Sequence, residues 1–255
     1  MSEFILTELK NNALWVTLNR PKKYNAINFK MFDRLKEVLK EAEVDEKVSF
    51  VVFTGGDCKM YSAGADFSPA ELGGLDSEKT SHGYKPFVDV LAAFPKPVVA
   101  LVNGSAVGVA VTTLGLMDSV ISVDNATFHC PFADYGLCPE AMSSKTFVDT
   151  MGYQKAAKMM LFSEKFTAQE AYIAGLVTKI IPAANFKEET AKIIEKYNKL
   201  SPQTLLVGKR LMRTENEVDK LLTVNRKEKV VLDECFSSED TMTRLAAKFA
   251  GGSKL

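Results

Sequence analysis

The chain has 255 residues, its 32 basic side chains balance 32 acidic ones, and 46% of its residues are hydrophobic. Zero net charge argues against a nucleic-acid binder, which needs a basic excess to neutralise phosphates. No apolar run approaches the ~20 residues of a membrane span, and the N-terminal residues lack the basic and apolar regions of a signal peptide. This length supports one hydrophobic core with at most a small appendage.

Cysteine and histidine usage argues against a metal site. The four cysteines contain no CxxC pair, and only His82 and His129 accompany them, so the sequence predicts no zinc site. Scattered free thiols favour a reducing, intracellular compartment.

Strand and helix signals alternate in the first half of the chain. Two β-prone runs, Phe4–Leu9 and Ala13–Leu18, predict a hairpin. Asn28 is predicted to cap a helix whose apolar residues recur at helical spacing. Further elements are predicted as strands at Phe50–Thr54, Val98–Val102 and Val120–Val123, and as helices at Tyr84–Ala93 and Ala106–Leu116. This alternation predicts a mostly parallel sheet.

The second half is predicted to be largely helical, with one strand at Leu176–Ile181. The predicted helices are Gln154–Phe162, Ala168–Ala174, Phe186–Leu200, Pro202–Arg213 and Val218–Phe236. We assign residues 1–200 to a core that carries the sheet and residues 201–255 to a C-terminal helical region. That region would either cap the core or form an oligomerisation surface.

Two glycine-containing turns follow predicted strands, at Ser62–Phe67 and Asn103–Ala110. Small residues let the backbone approach a ligand closely, and a helix N-terminus offers unpaired N–H groups. Two such turns would aim two donors at one oxygen, which is an oxyanion hole. By spacing alone, tight packing of helix on sheet is the favoured interpretation of these turns. The chain has no GxxxxGK[ST] or GxGxxG phosphate-binding motif.

A single acid, Glu140, stands among mostly apolar neighbours in the segment Tyr135–Met142. If Glu140 is buried, desolvation raises its pKa, as a general base or proton shuttle requires. The alternative is an ordinary solvated loop acid. A weaker candidate is His129 acting as the base for Ser143 or Ser144.

Together these segments resemble the enoyl-CoA hydratase/isomerase (crotonase) superfamily over nearly the whole chain. The matching motifs, in order, are Trp15–Pro21 with Asn25-Ala26, Ser62–Phe67, Val102–Gly108, Ala126–Phe128 with Pro131, and Ala168–Val177. The resemblance implies an α/β fold, a crotonase-like spiral of ββα units followed by a helical C-terminal region. It also implies assembly as homotrimers or dimers of trimers.

The resemblance implies an acyl-CoA thioester as substrate, with two backbone N–H groups polarising the thioester carbonyl. By position in the motifs these donors belong to Ala65 and Val109. Further substrate-binding residues implied by the same motifs are Ala63, Gly64, Asp66, Phe67 and Gly108. No metal or separate cofactor is implied, because coenzyme A is part of the substrate.

The acids distinguish the subfamilies. Hydratases of this family use two glutamates, at positions where this chain has Thr112 and Phe132. Glu140 falls where the Δ3-Δ2-enoyl-CoA isomerases carry their single catalytic glutamate, and the surrounding stretch is most similar to the peroxisomal isomerases. Some of those carry an additional N-terminal acyl-CoA-binding domain, for which these 255 residues show no counterpart. The resemblance therefore implies an isomerase that converts 3-enoyl-CoA to trans-2-enoyl-CoA in fatty acid β-oxidation.

Two other functions stay open at this point. One is an enoyl-CoA hydratase or another crotonase reaction, such as thioester hydrolysis. The other is a catalytically silent acyl-CoA-binding protein that keeps the donors of Ala65 and Val109 while Glu140 is exposed or misdirected.

The last three residues, Ser253-Lys254-Leu255, match a peroxisomal address that an import receptor reads. The preceding Gly251-Gly252 would keep this tripeptide accessible. We therefore expect a peroxisomal location.

Overall fold

The computed structural model describes residues 4–68 and 83–250. Its strands are β1 (Ile5–Lys10), β2 (Ala13–Leu18), β3 (Phe50–Thr54), β4 (Met60–Ser62), β5 (Val98–Val102), β6 (Ser105–Val107), β7 (Ser119–Val123), β8 (Thr127–His129), β9 (Phe166–Thr167) and β10 (Lys179–Ile181). They form a six-stranded sheet in the order β1-β2-β3-β5-β7-β10 and a four-stranded sheet in the order β4-β6-β8-β9. The larger sheet is parallel from β2 to β10, as predicted, and β1 runs antiparallel to β2.

Helices cover the sheets and dominate the C-terminal half. They are α1 (Phe29–Val44), α2 (Tyr84–Ala93), α3 (Val109–Thr112), α4 (Ser143–Met151), α5 (Tyr153–Met160), α6 (Ala168–Ile173), α7 (Phe186–Asn198), α8 (Pro202–Met212), α9 (Glu215–Phe236) and α10 (Glu239–Ala250). Within the described ranges, no helix has the length and apolarity needed to cross a bilayer.

Alternate residues of the central strands pack against different layers, which explains why these strands are apolar throughout. In β3, Val51 and Phe53 face the apolar sides of α1 and α2. Phe50 and Val52 face the opposite side of the sheet, where Ile194 of α7 closes the core. The larger sheet is thus a buried scaffold covered on both faces.

Two predicted features of the first half are confirmed. β1 and β2 form a hairpin in which Lys10 is paired with Ala13. Helix α1 begins directly after Asn28, whose side chain accepts a hydrogen bond from the Met31 N–H at 3.1 Å. This side-chain cap satisfies one of the N–H groups that a helix start leaves unpaired.

The predicted helix at Ala106–Leu116 is wrong over its first residues. Ser105–Val107 form strand β6, and only α3 and a 3-10 turn, Thr113–Leu116, follow it. Gly108 separates strand from helix, with φ 55° and ψ −127°, a conformation that favours glycine. A run of small residues has no period that would distinguish these states.

The sequence also failed to predict the four-stranded sheet and two helices, α4 and α10. Strands of two or three residues are too short to show alternation. The predicted strand Leu176–Ile181 is paired only over its last three residues, in β10.

The C-terminal helices pack on the rest of the chain. Helix α9 packs against α2 and α4, and α10 packs against the 3-10 turn Ala133–Tyr135. The division of the chain at residue 200 stays a prediction.

Candidate active site

The two glycine turns predicted from the sequence lie against each other. Gly64 has φ +87°, and a Cβ at this position would lie 2.6 Å from the carbonyl oxygen of Val107 and 3.7 Å from the Cα of Gly108. Strands β4 and β6, which lead into these turns, are parallel neighbours. The close approach therefore requires glycine at position 64.

Each turn presents a backbone N–H that has no protein acceptor among the described residues. The donors are the N–H groups of Ala65 and Val109. Their neighbours are bonded: the Asp66 N–H donates to the Ile27 carbonyl at 2.9 Å, and the Gly108 N–H donates to the His129 carbonyl at 2.8 Å. Val109 is the first residue of α3, where an N–H has no partner within the helix. Two donors are thus free to bind a ligand.

A buried side chain, Asn25, supports the first of these turns. Its Oδ1 accepts from the Arg20 N–H at 2.9 Å, and its Nδ2 donates to the Gly55 carbonyl at 3.0 Å. Its own carbonyl accepts from the Ser62 hydroxyl at 2.7 Å, and that hydroxyl accepts from the Gly64 N–H at 3.1 Å. From the sequence, Asn25 was noted only as part of the family motif.

All eight sequence-predicted site residues line one cavity of about 480 Å³. They are Ala63, Gly64, Ala65, Asp66, Phe67, Gly108, Val109 and Glu140. Phe132, which occupies a hydratase acid position, also lines the cavity. Other lining residues were not predicted from the sequence, among them Tyr135 and the lysines Lys22, Lys23 and Lys248. Because Lys248 lies in the last helix, no local pattern could have placed it beside residues 63–67.

Glu140 is buried, with 6% of its surface exposed, although it lines the cavity. Burial first, and then the negative charge of Glu228, raise the pKa of Glu140 to about 8. No hydrogen bond from the described part of the chain offsets these effects. A carboxyl with such a pKa can both accept and return a proton near neutral pH.

The backbone directly after Glu140 is strained. Ala141 and Met142 have φ values of 56° and 65°, although neither is glycine. Each such residue costs on the order of 1–3 kcal/mol and persists where the surroundings fix it. Ser143 closes the turn, because both its hydroxyl, at 2.6 Å, and its N–H, at 3.1 Å, donate to the Glu140 carbonyl.

The second acid of the cavity, Asp66, is engaged in an ion pair with Arg20. Burial alone would raise the pKa of Asp66, but hydrogen bonds from Arg20 and Ser68 hold it below its usual value. An acid that stays ionised in an ion pair is poorly suited to carry a proton. Its contacts instead tie the segment after β2 to the first glycine turn.

The two positions at which hydratases of this family carry glutamates differ in their surroundings. Phe132 forms part of the cavity wall. Thr112 is fully buried, and its hydroxyl donates to the Val109 carbonyl at 3.3 Å. Neither side chain can transfer a proton as a carboxylate does.

The structure does not bring His129 and the two serines together as a nucleophile and its base. The His129 ring is hydrogen-bonded to the Ser163 carbonyl at 3.0 Å. The Ser143 hydroxyl donates to the Glu140 carbonyl, and the Ser144 N–H donates to Glu228.

Comparison with known proteins agrees with this architecture. The family model described as enoyl-CoA hydratase/isomerase matches residues 8–250. The crystal structure of an enoyl-CoA hydratase/isomerase from Pseudoalteromonas atlantica T6c superimposes with a TM-score of 0.89 at 30% identity, covering 98% of both chains. The fold is therefore the crotonase fold, and the chain belongs to the enoyl-CoA hydratase/isomerase family.

Two curated relatives carry isomerase names. Enoyl-CoA delta isomerase 2 of Rattus norvegicus is 42% identical over 249 residues, which is 96% of this chain and 63% of the rat protein. The peroxisomal enoyl-CoA delta isomerase 3 of Mus musculus is also 42% identical over 249 residues, covering 95% of this chain and 75% of the mouse protein. The chain thus spans less than two thirds of the rat relative. These similarities support an enzyme of the isomerase/hydratase class.

Proposed function

We propose that this protein is an isomerase that converts 3-enoyl-CoA thioesters to trans-2-enoyl-CoA thioesters. The observation that carries the proposal is the buried Glu140, whose pKa is raised to about 8, in the same cavity as the free N–H groups of Ala65 and Val109. The names of the rat and mouse relatives agree with this reaction class.

In the proposed mechanism, the thioester oxygen accepts hydrogen bonds from Ala65 and Val109. The ionised Glu140 removes a proton from C2, and the electrons of that C–H bond move into a dienolate whose negative oxygen the two donors stabilise. The protonated Glu140 then returns the same proton to C4, and the double bond lies between C2 and C3. The reaction needs neither water nor a further cofactor, because one carboxyl carries the proton both ways.

The cavity wall suits such a substrate. Phe67 and Phe132 offer apolar surface to an acyl chain, and apolar surroundings strengthen the hydrogen bonds to the dienolate. The exposed lysines Lys22, Lys23 and Lys248 lie where they would attract the phosphate groups of coenzyme A.

The residues that line the cavity also argue against a hydration reaction. Adding water across the double bond needs a group that activates the water and a group that protonates the adjacent carbon. The two positions at which hydratases carry these acids hold Thr112 and Phe132 in this chain. Glu140 could supply only one of the two groups, and Asp66 is tied to Arg20.

The deciding experiment assays the purified protein on 3-enoyl-CoA and on trans-2-enoyl-CoA, together with a measurement of acyl-CoA binding. We expect isomerisation and little or no hydration. Hydration at a rate comparable to isomerisation would contradict the assignment within the family. Tight binding without turnover of either substrate would favour a silent acyl-CoA-binding protein.

We also propose a peroxisomal location, supported by the name of the mouse relative and by Ser253-Lys254-Leu255. These three residues lie outside the described part of the chain. A fluorescent protein fused to the N-terminus should enter peroxisomes, and deletion of the tripeptide should leave the fusion in the cytosol. Import that survives the deletion would contradict the role of the tripeptide.

Assembly as a homotrimer or a dimer of trimers is a further part of the proposal. Three large apolar side chains are 64–72% exposed: Tyr153 of α5, Phe162 just after α5 and Ile173 of α6. Exposed apolar side chains of this kind suit contact with a second copy of the chain. Light scattering coupled to size-exclusion chromatography would test this, and a monomer at micromolar concentration would contradict it.

A further inference from the structure

A second buried glutamate, Glu228 of helix α9, lies behind the turn that carries Glu140. Its Oε2 accepts a hydrogen bond from the Met142 N–H at 2.6 Å, and its Oε1 accepts one from the Ser144 N–H at 2.9 Å. Only 7% of the Glu228 surface is exposed. Glu228 is not among the residues that line the cavity.

These bonds supply what the local sequence lacks. Helix α4 starts after Met142 and has no side-chain cap from its own N-cap residue. Ala141 and Met142 adopt the left-handed conformation, which non-glycine residues adopt only when their surroundings fix it. A carboxylate that accepts N–H groups at a helix N-terminus stabilises that end through hydrogen bonds and through the helix dipole. Glu228 therefore takes the place of the missing cap from a distant helix.

The capped turn is also the one that orients Glu140. The carbonyl of Glu140 is fixed by Ser143, and Met142, two residues after Glu140, is fixed by Glu228. Only the short, strained backbone of residues 140–142 therefore separates the Glu228 contacts from the Glu140 side chain. Small displacements of a reacting group are costly, since about 1 Å of misplacement can reduce a rate 10²-fold.

We propose that Glu228 is a positioning residue, which fixes the strained turn after Glu140 so that the Glu140 carboxyl faces the cavity in the orientation needed for proton transfer. The proposal rests on the proposed function of Glu140 as the proton carrier. Glu228 acts through Glu140 and does not itself touch the substrate.

Glu228 also acts on Glu140 electrostatically. Its negative charge is the second cause, after burial, that raises the pKa of Glu140. Burial raises the pKa of Glu228 as well, while hydrogen bonds from the side chain and the N–H of Ser144 and from the N–H of Met142 oppose that effect. An ionised Glu228 is favoured by having a donor on each of its oxygens.

The other titratable groups near Glu140 and Glu228 include three whose uncharged forms are favoured near neutral pH. Burial raises the pKa of Tyr84 on α2, of Cys130 after β8 and of Cys138 in the loop before Glu140, so all three stay uncharged. Asp89 of α2 and Asp233 of α9 each form an ion pair with a lysine of the same helix, Lys85 and Lys229.

Glu228→Gln removes the charge and leaves an amide that can satisfy only one of the two N–H groups. We expect kcat to fall about 10–100-fold with little change in acyl-CoA binding. We also expect the acid limb of kcat/KM, which reports the ionisation of Glu140, to move to lower pH because the like charge is gone. Amide hydrogen exchange at residues 141–144 should become faster.

Two further variants separate the effects. Glu228→Asp keeps the charge but is one methylene shorter, so kcat should fall while the acid limb stays near its wild-type position. Glu234→Gln removes an exposed acid of the same helix and should leave kcat, the pH profile and the exchange rates unchanged. If Glu228→Gln does not fold, Glu228→Asp still tests the positioning through hydrogen exchange and kcat.

Wild-type exchange at residues 141–144 in both Glu228 variants, or a wild-type kcat and pH profile in Glu228→Gln, would overturn the proposal. The proposed function fails in a different way, through a wild-type protein that does not turn over 3-enoyl-CoA. Hydrogen exchange would then still decide whether Glu228 fixes the turn.

Discussion

The two sides of the candidate site are built by different means. On one side, the turns at Gly64 and Gly108 present backbone N–H groups, and glycine itself supplies the unusual conformations. On the other side, Glu140 presents a side chain from a turn whose left-handed residues are Ala141 and Met142. The unusual backbone conformations of the first side come from glycine itself, whereas those of the second side are held by contacts with a helix far along the chain.

This difference predicts how each side responds to substitution. The backbone side should tolerate changes of side chain at the donor positions but not an added Cβ where the two turns touch. On the acid side, removal of a single functional group, the Glu140 carboxyl, should abolish most of the enzyme's activity. The following substitutions test this contrast, from the largest expected effect to the smallest.

Glu140→Gln should lower kcat by about 10²–10⁴, because general acid–base groups typically contribute that factor. Steady-state kinetics on 3-enoyl-CoA measures it. Acyl-CoA binding should change little, since the proposed thioester donors are backbone groups, and circular dichroism verifies the fold. Turnover near the wild-type rate would remove Glu140 from the mechanism and make Asp66 the next acid to test.

Gly64→Ala should lower kcat by roughly 10²–10³, the typical cost of losing one oxyanion donor. The added Cβ would lie 2.6 Å from the Val107 carbonyl, so the two turns must separate. Gly152→Ala is the matched control: Gly152 also has positive φ, at +76°, but has open space around its Cβ position. Equal activity losses in the two variants would mean that backbone strain, and not the contact between the turns, determines the effect.

Glu140→Gln should also stabilise the protein above neutral pH. The pKa of Glu140 is raised in the folded state to about 8, so ionisation favours the unfolded chain as the pH rises from the unfolded value of about 4.3. The penalty is absent below that value and grows by about 1.4 kcal/mol for each pH unit up to about pH 8. It therefore reaches roughly 5 kcal/mol at most. Thermal melts of both proteins at pH 5 and pH 8.5 measure it. An equal difference in Tm at both pH values would argue against a buried, neutral Glu140.

Ala65→Ser should change kcat by less than about threefold. The proposed donor is the N–H of residue 65, which the substitution keeps, and the side chain is only half-buried. The same kinetic assay measures the effect. A loss as large as that of Gly64→Ala would show that the side chain at position 65, not its backbone, matters.

The backbone side of the site could be predicted from sequence because its signals are local. Small residues that follow apolar strands identify the Ser62–Phe67 and Asn103–Ala110 segments in the sequence. The structure brings the two segments into contact. The hairpin, the Asn28 cap and the parallel sheet were predicted for the same reason.

What could not be predicted depends on long-range contacts or on very short elements. The helix predicted from Ala106 begins instead at Val109, because Ser105–Val107 pair with two other short strands. Glu228 accepts a hydrogen bond from the N–H of Met142, which lies 86 residues away in the sequence. In the sequence, Glu228 is one of several acids on a long helix. Lys248 reaches the cavity from the last helix. No periodicity connects such residues to the site.

The register of the smaller sheet influences the separation between the two proposed donors, the N–H groups of Ala65 and Val109. Ser62 of β4 is paired with Ala106 of β6, and Ala65 and Val109 each follow three residues later. Adjacent strands are about 4.8 Å apart, and two donors that each lie about 2.9 Å from one oxygen cannot be more than about 5.8 Å apart. Parallel pairing with equal offsets therefore starts both turns about one strand spacing apart, a separation that two donors to a single oxygen allow. The acid lies on a separate turn, so its position can vary among proteins of this fold without altering that spacing.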